Sequence, residues 1–98
     1  MSDTTAVQIQ VLIPTPLRRY TSGEAKVGAS GGTVGDVLDD LEGRYPGLKE
    51  RVCDPDGEIR RFVNVFVNGE NVRKLQGAAT PVKSGDEIGI IPAMAGGA

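Results

Sequence analysis

Apolar and polar residues alternate over two stretches in the first thirty positions, a pattern that indicates β-strands buried on one face. The first stretch has its apolar residues at Val7, Ile9, Val11 and Ile13. It ends at Pro14-Thr15-Pro16, because proline cannot donate a ladder hydrogen bond. A weaker alternation follows a loop and has its apolar residues at Ala25, Val27 and Ala29. We expect the two stretches to pair as a hairpin.

The apolar spacing then changes to a helical period. Thr33 follows the glycine-rich turn and is a good N-cap residue, because its hydroxyl can accept a backbone hydrogen bond. Pro46-Gly47 marks the end of the helix. Between them the apolar residues recur at i, i+3, i+4 and i+7, as Val34, Val37, Leu38 and Leu41. We therefore predict one amphipathic helix, followed by a loop over residues 48–58.

The second half of the chain predicts another hairpin and a last strand. Residues 62–67 form the most apolar run, and Asn68-Gly69 after it favours a tight turn into a short return strand near Val72. Ser84-Gly85-Asp86 precedes a strand that ends at Pro92. This order of elements predicts an α+β fold in which one helix crosses one face of a mixed sheet of four to five strands. It matches the β-grasp (ubiquitin-like) fold, with a domain over residues 1–92 and a flexible C-terminal tail over 93–98.

Composition excludes several classes of function. The chain has 98 residues and a net charge of −2, and its basic residues form no clustered stripe, so we expect no nucleic-acid partner. No segment approaches the roughly 18 consecutive apolar residues of a membrane helix. The start of the chain has no secretory signal and the sequence has one cysteine, so we expect a cytoplasmic location.

The residues needed for most catalytic sites are also missing. Without histidine, and with Cys53 alone, the chain lacks nucleophile–base pairs, histidine metal sites and iron–sulfur ligation. The glycine-rich residues 28–35 lack the Lys-Ser/Thr pair of a phosphate loop. Asp54-Pro55-Asp56-Gly57 lacks the distal carboxylate of a calcium loop, and we interpret both segments as turns. Cys53 is interpreted as a passive thiol. We predict a protein that is not an enzyme and binds no metal or cofactor.

The end of the chain carries the strongest functional signal. A glycine–aspartate turn, Gly85-Asp86-Glu87, precedes the apolar strand, which is followed by Pro92-Ala93-Met94-Ala95-Gly96-Gly97. This ending resembles the β-grasp sulfur carriers, which include the small subunit of molybdopterin synthase and the thiamine sulfur carrier. Ile13-Pro14-Thr15, the residues 54–57 and the residues 61–68 are similar to the branch that supplies sulfur for cysteine and homocysteine synthesis.

The resemblance implies that the chemistry occurs at the diglycine, with the catalytic groups on partner proteins. An E1-like enzyme would use ATP to adenylate the carboxylate of Gly97, next to Gly96, and a sulfur donor would then leave a thiocarboxylate there. A synthase, pyridoxal-phosphate-dependent or of another kind, would accept the sulfur, and a zinc metalloprotease would release the amino acid. Ala98 follows Gly97, so we expect a protease, the same metalloprotease, to remove Ala98 first. The alternative is that Ala98 is an added residue or is tolerated.

Strand alternation also predicts a docking surface. The residues expected to face the helix are Val7, Ile9, Val11, Ile13, Val63, Val65, Val67, Ile88 and Ile90. Four apolar residues are expected on the opposite face, namely Leu12, Phe62, Phe66 and Ile91. Together with Met94 and Ala95 of the tail, they are predicted to bind partner proteins. The alternative is that loops or Met94 cover some of them.

Three other functions remain open at this stage. The chain could be a molybdopterin-synthase small subunit that stays bound to a large catalytic subunit. It could be a protein modifier conjugated through Gly97 to lysines, as ubiquitin is. It could also be an interaction domain whose tail has no chemistry.

Overall fold

A computed structural model describes residues 8–92 of the chain. Val7 and the predicted tail residues, including Met94, Ala95, Gly96, Gly97 and Ala98, lie outside the described residues. The strands are β1 (Ile9–Leu12), β2 (Lys26–Ala29), β3 (Val63–Val67), β4 (Glu70–Asn71) and β5 (Glu87–Pro92). The α-helices are α1 (Val34–Arg44) and α2 (Leu48–Val52), and 3₁₀ helices cover Thr15–Thr21, Val72–Lys74 and Gly77–Ala79.

The five strands form one mixed sheet in the order β2-β1-β5-β3-β4. The first and last strands, β1 and β5, lie side by side and parallel, with Val11 opposite Ile88. The neighbouring pairs β1–β2, β5–β3 and β3–β4 are antiparallel. Both predicted hairpins are confirmed, and so is the predicted α+β, β-grasp arrangement.

The core lies between α1 and one face of the sheet. Helix α1 contributes Val34, Val37, Leu38 and Leu41, all with no exposed surface. The strand residues predicted to face the helix are all buried within the described part of the chain, namely Ile9, Val11, Ile13, Val63, Val65, Val67, Ile88 and Ile90. At the start of α1 the Asp36 N–H donates to Thr33 Oγ1 at 3.1 Å, which confirms the predicted N-cap.

The glycine-rich segment before α1 serves packing. A Cβ on Gly31 would lie 2.7 Å from the backbone nitrogen of Val37, so the loop lies directly against the helix and only glycine fits. Residues 30–33 therefore form the strand-to-helix turn that the sequence predicted.

Two segments predicted as loops are helical. Helix α2 occupies Leu48–Val52 within the predicted loop 48–58, and Thr15–Thr21 forms a 3₁₀ helix. Leu48 and Val52 are fully buried, so burial of these two side chains stabilises a helix too short to be stable alone. Such short helices have too few turns to show an apolar period in the sequence. The strand ends also differ, because β1 stops before Ile13 and β3 begins after Phe62.

Candidate functional site

Three of the predicted partner-binding residues come together on the face of the sheet that α1 does not cover, here called the open face. Leu12, Phe66 and Ile91 line a depression of about 320 Å³. Its floor is Gly89, which pairs with Leu12 across β1–β5 and with Phe66 across β5–β3. Gly69 and Glu87 complete the lining. The predicted surface is thus a concave apolar site rather than a flat one.

Phe62 lies apart from this depression but close to the end of β5. It precedes Val63, which pairs with Pro92, the last described residue. Its side chain is 68% exposed, more than that of Ile91 at 55%. Among the described residues, the predicted surface therefore consists of the depression and of the exposed Phe62 ring. Phe62 lies close to Pro92, the residue that precedes 93–98 in the sequence.

The structure adds open-face residues that the sequence did not single out. A second depression of about 300 Å³ shares Phe66 and Gly69 with the first and extends to Leu75, which is 43% exposed. Glu87 and Gly89 were also missed. The alternation of β5 was a usable signal for both, because residues 87, 89 and 91 must share a face.

Asp86 explains the glycine–aspartate turn that precedes β5. Its carboxylate accepts hydrogen bonds from the Asn68 side-chain amide and the Lys83 backbone N–H, each at 2.9 Å. Asn68 in turn accepts a bond from the Glu87 N–H at 3.0 Å. The amide of Asn68, followed by the Lys83 N–H, lowers the pKa of Asp86 below its ordinary value. The start of β5 is thereby fixed to the β3–β4 turn, which sets the register that directs Ile91 outward.

Arg73 holds the segment that carries Phe62. One nitrogen of its guanidinium, Nη2, donates to the backbone carbonyls of Arg60 at 2.5 Å, Arg61 at 3.2 Å and Val63 at 2.6 Å. Strand β4 is too short to pair with this end of β3, so the guanidinium takes the place of a neighbouring strand. The turn at residues 60–63 is therefore held by hydrogen bonds from the Arg73 side chain to its backbone carbonyls, while Phe62 itself is exposed.

Cys53 lines a separate depression together with Lys49 and Arg60. The residue is 2% exposed, and burial raises the pKa of its thiol, with the nearby charge of Lys49 acting in the opposite direction. A buried, protonated thiol is a poor nucleophile. Asp54 beside it accepts the N–H groups of Asp56 and Glu58, both at 3.0 Å, as a turn residue does.

Other kinds of site are not formed by the described residues. Within residues 8–92, no group of three or more His, Cys, Asp or Glu side chains is placed to hold a metal ion. None of the helices in the same range has both the length and the apolar character to cross a membrane.

A β-grasp domain with an apolar open face next to a diglycine sequence is typical of small ubiquitin-like carriers. The ThiS family matches residues 11–97, and the chain belongs to this family.

The relatives are named as sulfur carriers. The chain is 48% identical over 93 residues to the sulfur carrier protein CysO of Mycobacterium tuberculosis, covering 93% of this chain and 100% of that protein. The crystal structure of CysO from the same organism superposes with a TM-score of 0.84, covering 88% of this chain and 99% of the other. A chain of the BexX/CysO complex of Amycolatopsis orientalis gives a TM-score of 0.85 at 44% identity, covering 88% and 96%.

These comparisons confirm the family resemblance that the sequence suggested. The chain is a sulfur carrier and not an enzyme. The CysO relatives also agree with the amino-acid branch of the family.

Proposed function

We propose that this protein carries sulfur as a thiocarboxylate on Gly97 and delivers it for the synthesis of cysteine or homocysteine. The family match supports the choice of residue, because it extends through Gly96 and ends at Gly97, leaving Ala98 outside. The 48% identity to CysO over 93 residues supports the choice of branch.

The carboxylate is activated in two steps on partner proteins. An E1-like enzyme joins the Gly97 carboxylate to the α-phosphorus of ATP, and pyrophosphate leaves. Hydrosulfide released by a sulfur donor then attacks the acyl carbon, AMP leaves as the C–O bond breaks, and loss of the S–H proton leaves a thiocarboxylate. The carrier holds neither ATP nor another cofactor itself, since ATP is used by the activating partner.

Ala98 must be removed before activation, because Gly97 has no free carboxylate while the Gly97–Ala98 amide is intact. A metalloprotease hydrolyses this bond, and Ala98 prevents activation until then. The same kind of protease releases the product later, after a pyridoxal-phosphate-dependent or other synthase has transferred an activated carbon to the thiocarboxylate sulfur. The resulting thioester becomes an amide when the amino group of the new amino acid attacks the acyl carbon of Gly97 and the thiol leaves. Both cleavages are then amide hydrolyses next to Gly97.

The partners dock on the open face. Leu12, Phe66 and Ile91 form an apolar depression, and Phe62 lies beside the end of β5. Met94 and Ala95 lie between that end and the diglycine in the sequence, so a protein that holds the tail is expected to contact them as well. A related carrier, CysO of Amycolatopsis orientalis, forms a complex with BexX, which supports docking of this chain on a partner protein.

A second candidate function is protein modification through Gly97. Small archaeal modifier protein 3 of Haloferax volcanii is 48% identical to this chain over 65 residues, covering 66% of this chain and 70% of that protein. In this alternative the activated carboxyl group forms an amide with a lysine of another protein. The product is then stable to thiol reagents and larger than the carrier.

The intact mass of the chain, recovered from its host during growth without cysteine or methionine, tests the proposal. We expect a species that has lost one alanine residue and has one oxygen replaced by sulfur. A variant that lacks Gly96 and Gly97 is the control and should show no such species. Recovery of only the unprocessed chain would contradict the proposal, whereas higher-mass conjugates resistant to thiol reagents would support the modifier function.

A further inference from the structure

Gly89 interrupts a row of larger side chains across the open face. In this row Leu12 of β1 and Phe66 of β3 are the direct neighbours of Gly89, one on each side. Neighbouring strands lie about 4.8 Å apart, so the two side chains stand about 10 Å apart with no side chain between them. The result is a notch with Leu12 and Phe66 as walls, Ile91 at one end and Gly89 as floor.

The fold itself does not require glycine at this position. Gly89 is not among the residues with positive φ, and a Cβ added to it would meet nothing within 4 Å. Glycine inside a strand is disfavoured by about 0.5–1 kcal/mol relative to alanine, and more strongly relative to β-branched residues. A strand glycine often marks a bulge, a tight bend or a place where another molecule approaches closely, and the regular pairing of β5 on both sides of Gly89 leaves no bulge there.

Charge around the notch indicates the chemistry of its occupant. Glu87 is the charged residue that lines the depression, it is exposed, and it makes no ion pair within residues 8–92. Glu70 lines the adjoining depression, whose one lining cation is Lys74. Lys26 stands opposite Leu12 across β1–β2, on the far side of that wall from the notch, so the rim is acidic on the Glu87 side. An apolar side chain with a lysine or arginine on that side would therefore fit the notch.

The position of the notch indicates which protein supplies that side chain. Gly89 is three residues before Pro92 on an extended strand, so the notch lies about 10 Å from the end of the described chain. Residues 93–97 can span at most about 18 Å from there. A protein that holds the diglycine therefore lies close to the open face.

We propose that the notch over Gly89 receives one apolar side chain, flanked by a lysine or arginine, from the protein that adenylates the tail. Gly89 is then a specificity residue, because any side chain at this position would fill the space that the partner's side chain must occupy. The inference rests on the proposed function, which supplies the activating partner.

Gly89→Val tests the notch. The substitution fills the space without a clash and suits a strand, so the thermal midpoint should stay the same or rise. Activation is measured as pyrophosphate release by the host's E1-like enzyme, with ATP and a chain that ends at Gly97. We expect the KM for the carrier to rise at least tenfold with kcat unchanged.

Gly28→Val is the matched control. Gly28 also lies in a strand between two buried residues, Val27 and Ala29, so it faces the open side, but it lies in β2, away from the notch. A Cβ there meets only Gln8 Oε1 at 4.0 Å. Its KM should equal that of the unsubstituted chain. Glu87→Lys should raise the KM, and the increase should diminish at high salt.

The outcomes separate the two proposals. If the unsubstituted chain is adenylated and Gly89→Val has the same KM, the notch proposal is wrong while the proposed function stands. A change of oligomeric state in Gly89→Val would show that the notch is occupied by a second copy of this chain and not by the activating enzyme. A lower KM would instead indicate that the chain's own tail occupies the notch. No adenylation of the unsubstituted chain would overturn the proposed function and the partner assigned to the notch.

Discussion

The two faces of the sheet carry similar side chains in different surroundings. Val65 and Ile88 on the helix-covered face have no exposed surface, and Leu38 of α1 packs into the same core. On the open face Ile91 is 55% exposed, and Phe62, which directly precedes β3, is 68% exposed. Burial of an apolar side chain contributes roughly 1.5–3 kcal/mol to folding, and a side chain left in water contributes little of this. The covered face therefore stabilises the fold, whereas the apolar groups of the open face remain available for binding.

The two faces are coupled through strand register. A shift of β5 by one residue would turn Ile88 and Ile90 outward and place Gly89 and Ile91 in the core. The hydrogen bonds of Asp86 and Asn68 fix the start of β5 and so oppose this shift. A polar turn outside the core thus decides which side chains are available to partners.

The largest effect is expected from a change in the covered face. Leu38→Ala should lower the free energy of unfolding by about 2–5 kcal/mol, because it leaves a cavity in a fully buried site. Leu75→Ala removes the same atoms from a side chain that is 43% exposed next to the open face. Leu75→Ala should therefore lower the free energy of unfolding by no more than about 1 kcal/mol. Chemical denaturation of both variants measures the difference, and equal losses would show that Leu75 belongs to the core.

A smaller effect is expected at the turn that fixes the register. Asp86→Ala should cost about 1–3 kcal/mol, because the Asn68 amide and the Lys83 N–H lose their acceptor. The pKa of Asp86 is lower in the folded chain than in the unfolded chain, where it is about 3.9. Its stabilising contribution is therefore complete above that value and is lost as the pH falls through the folded pKa.

The pH dependence provides an independent check. Denaturation midpoints of the unsubstituted chain and of Asp86→Ala should converge as the pH is lowered below about 4. The pKa of Glu42 is also lowered, by the N–H groups of Gly47 and Lys49, but Glu42 is present in both chains and does not affect the difference. A constant difference between the two midpoints down to pH 2 would contradict the assigned role of the Asp86 carboxylate.

The sequence predicted the elements in which apolar side chains recur with a regular period. Alternation over residues 7–13 and 62–67 identified the buried face, and the spacing of Val34, Val37, Leu38 and Leu41 identified α1. Helix α2 was missed because its five residues contain only two buried side chains, Leu48 and Val52. The start of α2 also depends on Glu42, which lies near the end of α1. The Glu42 carboxylate accepts hydrogen bonds from the N–H groups of Gly47 and Lys49. A contact between two helices is not visible in the periodicity of either one.

The candidate site was predicted in part for a similar reason. Alternation placed Leu12, Phe66 and Ile91 on one face, and the structure brings them around one depression. The notch itself depends on which residues of three strands stand side by side, and that register follows from turns and hydrogen bonds. Arg73 was missed because its acceptors are backbone carbonyls ten to thirteen residues earlier. The functions assigned to Gly96, Gly97, Ala98, Met94 and Ala95 remain predictions, because these residues lie outside the described part of the chain.

The smallest effect on stability is expected at Phe62. Phe62→Ala should change the free energy of unfolding by no more than about 0.5 kcal/mol. Substitution of a buried phenylalanine by alanine typically lowers that free energy by about 3–5 kcal/mol. The ring is 68% exposed, and the turn below it is held by Arg73 through the carbonyls of Arg60 and Val63. The same variant should raise the KM for the activating enzyme, because Phe62 precedes Val63, the partner of Pro92 at the end of the described chain. A loss above about 2 kcal/mol would show that Phe62 packs as part of the fold, and the open face would then contribute to stability as well as binding.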